Sequence, residues 1–265
     1  MKKNTKKKVL TLALVIALLA IAVVGGSLAW FTAEDSATNT FTVGSIRIQQ
    51  IEQQRDENGN LQDYVNTDKV LLPIVNINNP RVDENYQSKI VTVKNTGRND
   101  AYVRTFIAVP QALSQDYLKL VYSEFRNDTY WKHEGTSVVD YMGESYVVYC
   151  YVYQPVLGAG ESTEELLDGV YLKAEVDLKD NPETANSDNL EFCIPNGQGG
   201  YTFSDYEIVS AEGALLKDGD GNTKTVNVLV LTQAVQADGF DSANEALDAA
   251  FGVVGTLYDP FPAAE

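Results

Sequence analysis

The sequence predicts a mainly β protein: an antiparallel β-sandwich with a short C-terminal helix, preceded by a signal-peptide helix. Three observations point there. Runs rich in Val, Ile, Thr and Tyr recur along most of the 265 residues, several of them alternating apolar with polar. Clusters of Gly, Asn, Asp and Pro separate these runs, as turns between strands require. Only one segment, near the C-terminus, combines helical spacing with signals for both helix ends.

The N-terminus reads as an export signal over residues 1–29. Lys2, Lys3, Lys6, Lys7 and Lys8 form a basic start, and Val9 to Val24 follows with only Thr11 polar. Gly25, Gly26, Ser27 and Ala29 give a small-residue exit suited to cleavage after Ala29, with cutting after Trp30 the neighbouring alternative. The apolar run is short for a membrane-spanning helix. An uncleaved anchor is the other reading, and the Ala-x-Ala-like exit argues against it. Membrane contact is thus expected only through an uncleaved signal segment.

Residues 30–265 are expected to form one β-sandwich domain. Thr40 to Ile51 alternates Phe41, Val43, Ile46 and Ile48 with polar neighbours, the pattern of a half-buried strand. Asn58-Gly59 marks a hairpin turn. Val70 to Ile77 reads as a strand stopped by Asn78-Asn79-Pro80. Ile90 to Val93 and Ala101 to Val109 flank the turn residues Asn95 to Asp100, and Tyr146 to Tyr153 is nearly all Val and Tyr. Val170 to Leu178, Tyr206 to Ser210 and Val226 to Val235 are further strands, whereas Lys179 to Asn189 is a polar loop. Ser242-Ala243-Asn244-Glu245 has the capping-box form, and Ala243, Ala246, Leu247, Ala250 and Phe251 follow at helical spacing before Gly252. This helix is expected to close an edge or an end of the sandwich.

Charge narrows the partners. The formal net charge is −17, and removing a segment with five lysines and no acid leaves about −22. Such a surface repels nucleic acid and anionic lipid, so neither is an expected partner. Cys150 and Cys193 are too few for a disulfide framework; they either form one disulfide or pack as two buried thiols.

The residues offer little catalytic chemistry. His133 is the single histidine, read as a surface residue in a loop or strand end. It has no second histidine and no nearby cysteine for a zinc site, and no Gly-x-Ser-x-Gly elbow supports a serine nucleophile. Asp218-Gly219-Asp220-Gly221-Asn222 resembles a calcium loop, but Leu229 stands where the bidentate acid belongs, so a turn is the better reading. No cofactor, metal or enzymatic activity is expected. Tyr146, Tyr149, Tyr151 and Tyr153 suit either a core strand or a carbohydrate- or protein-binding surface, with core favoured.

Four stretches carry a family resemblance. Gly25-Gly26-Ser27-Leu28-Ala29-Trp30-Phe31-Thr32, followed by Ala37-Thr38-Asn39-Thr40-Phe41-Thr42-Val43-Gly44, resembles the start of proteins processed by the signal peptidase SipW: the TasA, camelysin and BsaA-like family. Val91 to Gly97 with Ala101 to Arg104, and Tyr149 to Tyr153 with Val156 to Thr163, are similar to its central stretches. Ala234 to Phe240 resembles the tail of the BsaA-like branch. The resemblance implies a jelly-roll-like sandwich exported from a Gram-positive bacterium, with a SipW-type signal peptidase as processing partner. It also implies self-association into a biofilm fibre or binding to other matrix proteins. Residues 30–51 would then be a donor strand inserted into a neighbour, with Phe41, Val43, Ile46 and Ile48 on the inserted face; the alternative is that Thr40 to Ile51 pairs within its own subunit. Two other functions compete: a secreted camelysin-like metallopeptidase, for which no ligand set is visible, and a cell-surface adhesin or accessory matrix module.

Overall fold

The computed structural model describes residues 42–43, 46–65, 71–114, 116–183, 189–210, 214, 216–217 and 224–261. Among them the fold is mainly β, and all pairings between strands are antiparallel. A sheet in the order β14-β6-β9-β8 is the centre of the molecule. Its strands are β6 (Ala101–Pro110), β8 (Trp131–Tyr141), β9 (Glu144–Leu157) and β14 (Leu229–Gln236). All ten residues of β6 are buried. Side chains alternate across a strand, so a strand buried throughout needs a layer on each face.

The inner face carries the main core. Val103, Ile107 and Val109 of β6, Trp131 of β8 and Tyr151 of β9 meet an opposing layer of shorter sheets. In that layer β2 (Ile46–Arg55) pairs along one side with β5 (Ile90–Asn95). It also pairs through hairpins with β1 (Thr42–Val43) and β3 (Leu61–Asp63). A second small sheet is ordered β4 (Gln87–Ser88), β10 (Leu167–Leu172), β7 (Leu118–Tyr122). A third is ordered β11 (Asp177–Asp180), β12 (Asn189–Pro195), β13 (Tyr201–Ser210). Ile46, Ile48, Val91, Val93, Leu172 and Phe192 complete the sandwich core from this side.

The outer face is covered by α1 (Ala243–Phe251) and the tail behind it. Ala243, Ala246, Leu247 and Phe261 pack against Tyr102, Phe106, Val148, Cys150 and Leu231. The helix ends match their signals. Ser242 Oγ accepts from Glu245 N–H at 3.3 Å, and Gly252, at φ 88°, donates its N–H to Asp248 O at 2.9 Å. Glu245 returns its carboxylate to Asp241 N–H rather than to Ser242, which shifts the reciprocal bond of a capping box by one residue. The helix lies over a sheet face, where its apolar stripe finds a surface to bury, and not at an edge or end of the sandwich.

Other expectations change too. Val70 to Ile77 contributes only an isolated bridge at Pro73 among its described residues, and Val75 and Ile77 are exposed. Pro73 has no N–H to donate, and the Val75 and Asn76 amides are taken by Asp83 Oδ2 at 2.7 and 2.5 Å, so a loop outcompetes the ladder. Val170 to Leu178 is split between β10 and β11 by the turn at Lys173–Val176, where Val176 N–H bonds Lys173 O. β8 runs through His133, where the sequence predicts a loop or strand end. The β8–β9 hairpin turns through Met142 and Gly143, both at positive φ, as a tight two-residue turn requires.

Candidate functional site

The segment expected to mediate assembly is docked inside its own chain from Ile46 onward. Ile46 and Ile48 are fully buried and face the sandwich core, while β2 pairs with β5 from Ile48↔Asn95 to Gln53↔Ile90. Val43 is placed by its backbone in the hairpin opposite Ile46. Ala29, Trp30 and Phe41 lie outside the described residues, as does Asp218 to Asn222.

After two isoleucines the inward face of β2 turns polar. Gln50 is buried; its amide donates to Val230 O at 3.3 Å and to Glu52 Oε1 at 3.0 Å, and its carbonyl accepts from Thr232 Oγ1 at 2.8 Å. With the Thr232 proton committed to Gln50, Thr105, 3.1 Å away, is the donor in the next link. A polar chain therefore crosses the core from β2 to β14 and β6. Glu52 then meets Lys89 in an ion pair with both side chains over nine-tenths buried, and the Lys89 ammonium sits 4.3 Å above the Tyr64 ring. Arg55 closes the row with two bonds to the Glu165 carboxylate at 2.9 and 3.0 Å.

Beside Arg55, Asp168 accepts from Arg81 Nε at 2.5 Å and from the Tyr86 hydroxyl at 2.8 Å. Burial next to this carboxylate raises the Tyr86 pKa strongly, so it serves as a donor. Gly169 makes the approach feasible, since a Cβ there would meet Tyr86 Oη and Gln87 O at 2.5 Å. The Arg55–Asp168 cluster ties the end of β2 to β10 and to the loop at Arg81.

The outer layer is fastened differently. Arg104 is buried in the middle of β6 and points toward α1. It donates to Gln233 Oε1 at 2.7 Å, Gly252 O at 3.1 Å and Tyr258 Oη at 2.6 Å, and it pairs with Asp248 at 3.4 Å. Its guanidinium lies 5.0–5.4 Å from the Tyr258, Phe106 and Phe251 ring centres. A cation at a helix C-terminus also meets the negative end of the dipole.

Cys150 and Cys193 do not form a disulfide: both are buried free thiols. Cys150 faces the outer layer and Cys193 lies in β12, so strand alternation and sheet membership keep them apart. Burial pushes the Cys150 thiol up to about 12, which keeps it protonated and unreactive. Tyr146 points to the outer layer, whereas Tyr151 and Tyr153 belong to the inner core and Tyr149 is only half-buried beside it. Among the described residues, no three His, Cys, Asp or Glu side chains converge as metal ligands.

Ile46 and Ile48 were readable from alternation, but Gln50, Thr105, Thr232, Lys89 and Arg104 were not. The available signal was negative: Thr105, Thr232 and Arg104 are polar residues inside the apolar strands β14 and β6, Gln50 continues the inward positions of Ile46 and Ile48, and Lys89 directly precedes the apolar run of β5. Comparison with family models, curated proteins and solved structures gave no match.

Proposed function

We propose that this chain is a secreted structural subunit of an extracellular biofilm matrix or fibre of a Gram-positive bacterium. In this reading a SipW-type signal peptidase releases it, and β-strand addition between copies assembles it. The observation that carries the proposal is the placement of β2. This strand, which contains the end of the candidate donor segment 30–51, is held by ladder pairing to β5, by Ile46 and Ile48 in the core, and by Gln50 and Glu52. An identical neighbour offers the same ladder, the same apolar sockets and the same polar partners. Exchange in trans would therefore remake every contact it breaks, and assembly would be driven by concentration and by whatever residues 30–41 add.

Gln49 and Lys94 are register partners on β2 and β5, and paired cysteines there test the proposal. Oxidised filaments of Q49C/K94C should run as a covalent ladder on denaturing gels, and negative-stain microscopy of residues 30–265 should show the filaments themselves. Monodisperse particles at high concentration would overturn the subunit reading. Filaments carrying only intrachain disulfides would overturn exchange of β2 while keeping assembly.

A further inference from the structure

The opposing layer does not cover the inner face of the central sheet completely. From the start of β8 toward its hairpin with β9, His133 is exposed, Thr136 and Tyr149 are half-buried, and Val138 is exposed, all on the inner face by register. His133 sits 5.2 Å from the Tyr151 ring and 6.4 Å from the Tyr149 ring, with its Nε2 3.1 Å from the Thr136 hydroxyl. The turn after β7 supplies a wall. Arg126 lies 4.5 Å above the Tyr122 ring and 5.5 Å from the Tyr151 ring, and those two rings are themselves 5.1 Å apart. The result is an aromatic shelf, partly open to solvent, with a guanidinium laid along one side.

The shelf carries a guanidinium with no carboxylate beside it. Although the chain has 37 acidic residues against 20 basic ones, no ion pair among the described residues includes Arg126, as is also true of Arg47 and Arg98. Glu124 and Asp128 flank it in sequence, but its side chain is spent on tyrosine faces instead. Stacking holds the planar fork in one orientation and leaves it free to bind a carboxylate. Desolvation, and after it the Arg126 charge, lowers the His133 pKa, so near neutral pH the ring offers a neutral hydrogen-bonding edge.

We propose that this shelf binds a carboxylated sugar chain, with Arg126 holding a uronate carboxylate and Tyr149 receiving the C–H face of a sugar ring. Thr136 and the His133 edge are placed to meet ring hydroxyls. A sugar ring is apolar on its faces and polar at its rim, which suits half-exposed tyrosine bordered by hydroxyl and imidazole groups. The carboxylate supplies the anionic partner that Arg126, held by Tyr122 and Tyr151, does not have among the described residues. This inference is independent of fibre formation.

The test is calorimetric titration of the exported chain, at ionic strength near 0.15 M so that net repulsion is screened beyond roughly 8 Å. The probes are an oligogalacturonate, its neutral galactose counterpart and poly-glutamate. Oligogalacturonate should bind and shift the single histidine's ring resonances, and R126Q should weaken binding by about tenfold or more, the loss of one charge-assisted bidentate contact. Arg126 is exposed, so this variant should keep the fold, and an unchanged thermal transition checks that. Absence of binding to oligogalacturonate would overturn the proposal. So would equal binding by R126Q, or equal affinity for poly-glutamate, which would reduce the shelf to a point of charge.

Discussion

The two layers against the central sheet are fastened by opposite means. The outer layer, α1 and the tail, is mainly apolar; Asn244 donates to Glu134 of β8, and the dominant polar fastening is Arg104, which gathers four acceptors from β14, the helix end and the tail. The inner layer's β2 distributes its polar contacts along the strand at Gln50, Glu52 and Arg55, each with its own partner. A single hub fixes a layer in place but leaves its sliding to packing. A row of matched pairs fixes register, because a one-residue slip would turn Gln50 and Glu52 away from Thr232 and Lys89.

The contrast can be broken at its strongest point first. K89A leaves the Glu52 carboxylate buried without its cation and should cost about 3–5 kcal/mol, read as a lower urea midpoint with unchanged slope. An effect below about 1 kcal/mol would show that the pair is solvated and does not fix register. R104A should cost about 2–4 kcal/mol through orphaned acceptors and lost packing. Its loss of hydrogen-exchange protection should concentrate in residues 243–251, while β2 stays protected; loss spread evenly over both layers would refute separate fastening. S242A, which removes the N-cap acceptor alone, should cost about 1 kcal/mol and leave the inner layer untouched.

The smallest effect comes from His133. Desolvation, then Arg126, hold its pKa below the usual 6.5, so the unfolded chain binds this proton more readily than the folded one. Its contribution to stability is complete above the unfolded pKa and is lost as pH falls through 6.5 toward the lower folded value. The lone imidazole signal should titrate below its unfolded position. R126Q should raise that midpoint, and an unchanged midpoint would remove the arginine from the shelf's electrostatics.

Legibility of the fold followed how strongly each segment's local pattern agreed with its burial. β6, β9 and β14 are dense in Val, Ile and Tyr because both their faces are covered, and α1 carries its own end signals. β8 was missed because it is an edge strand with a register shift between His133 and Gly135, which breaks the period of two. The stretch from Val70 failed in the other direction: its apolar residues suit a strand, but Pro73 and the Asp83 carboxylate decide the backbone. Of the candidate site, the apolar half of β2 could be read and the polar half could not. A buried glutamine is identified only by partners such as Thr232, which lies 182 residues away.

That distance has a consequence for how the molecule comes into being. Both fastenings end on the same late stretch: Gln50 waits for Val230 and Thr232, and Arg104 waits for Gln233 and everything up to Tyr258. A chain emerging from its N-terminus can form the β2–β5 and β6–β9 ladders early, yet neither layer can be sealed until nearly the whole polypeptide has been delivered. β14 acts as the closing piece, and a truncation anywhere before it should leave both cores open at once.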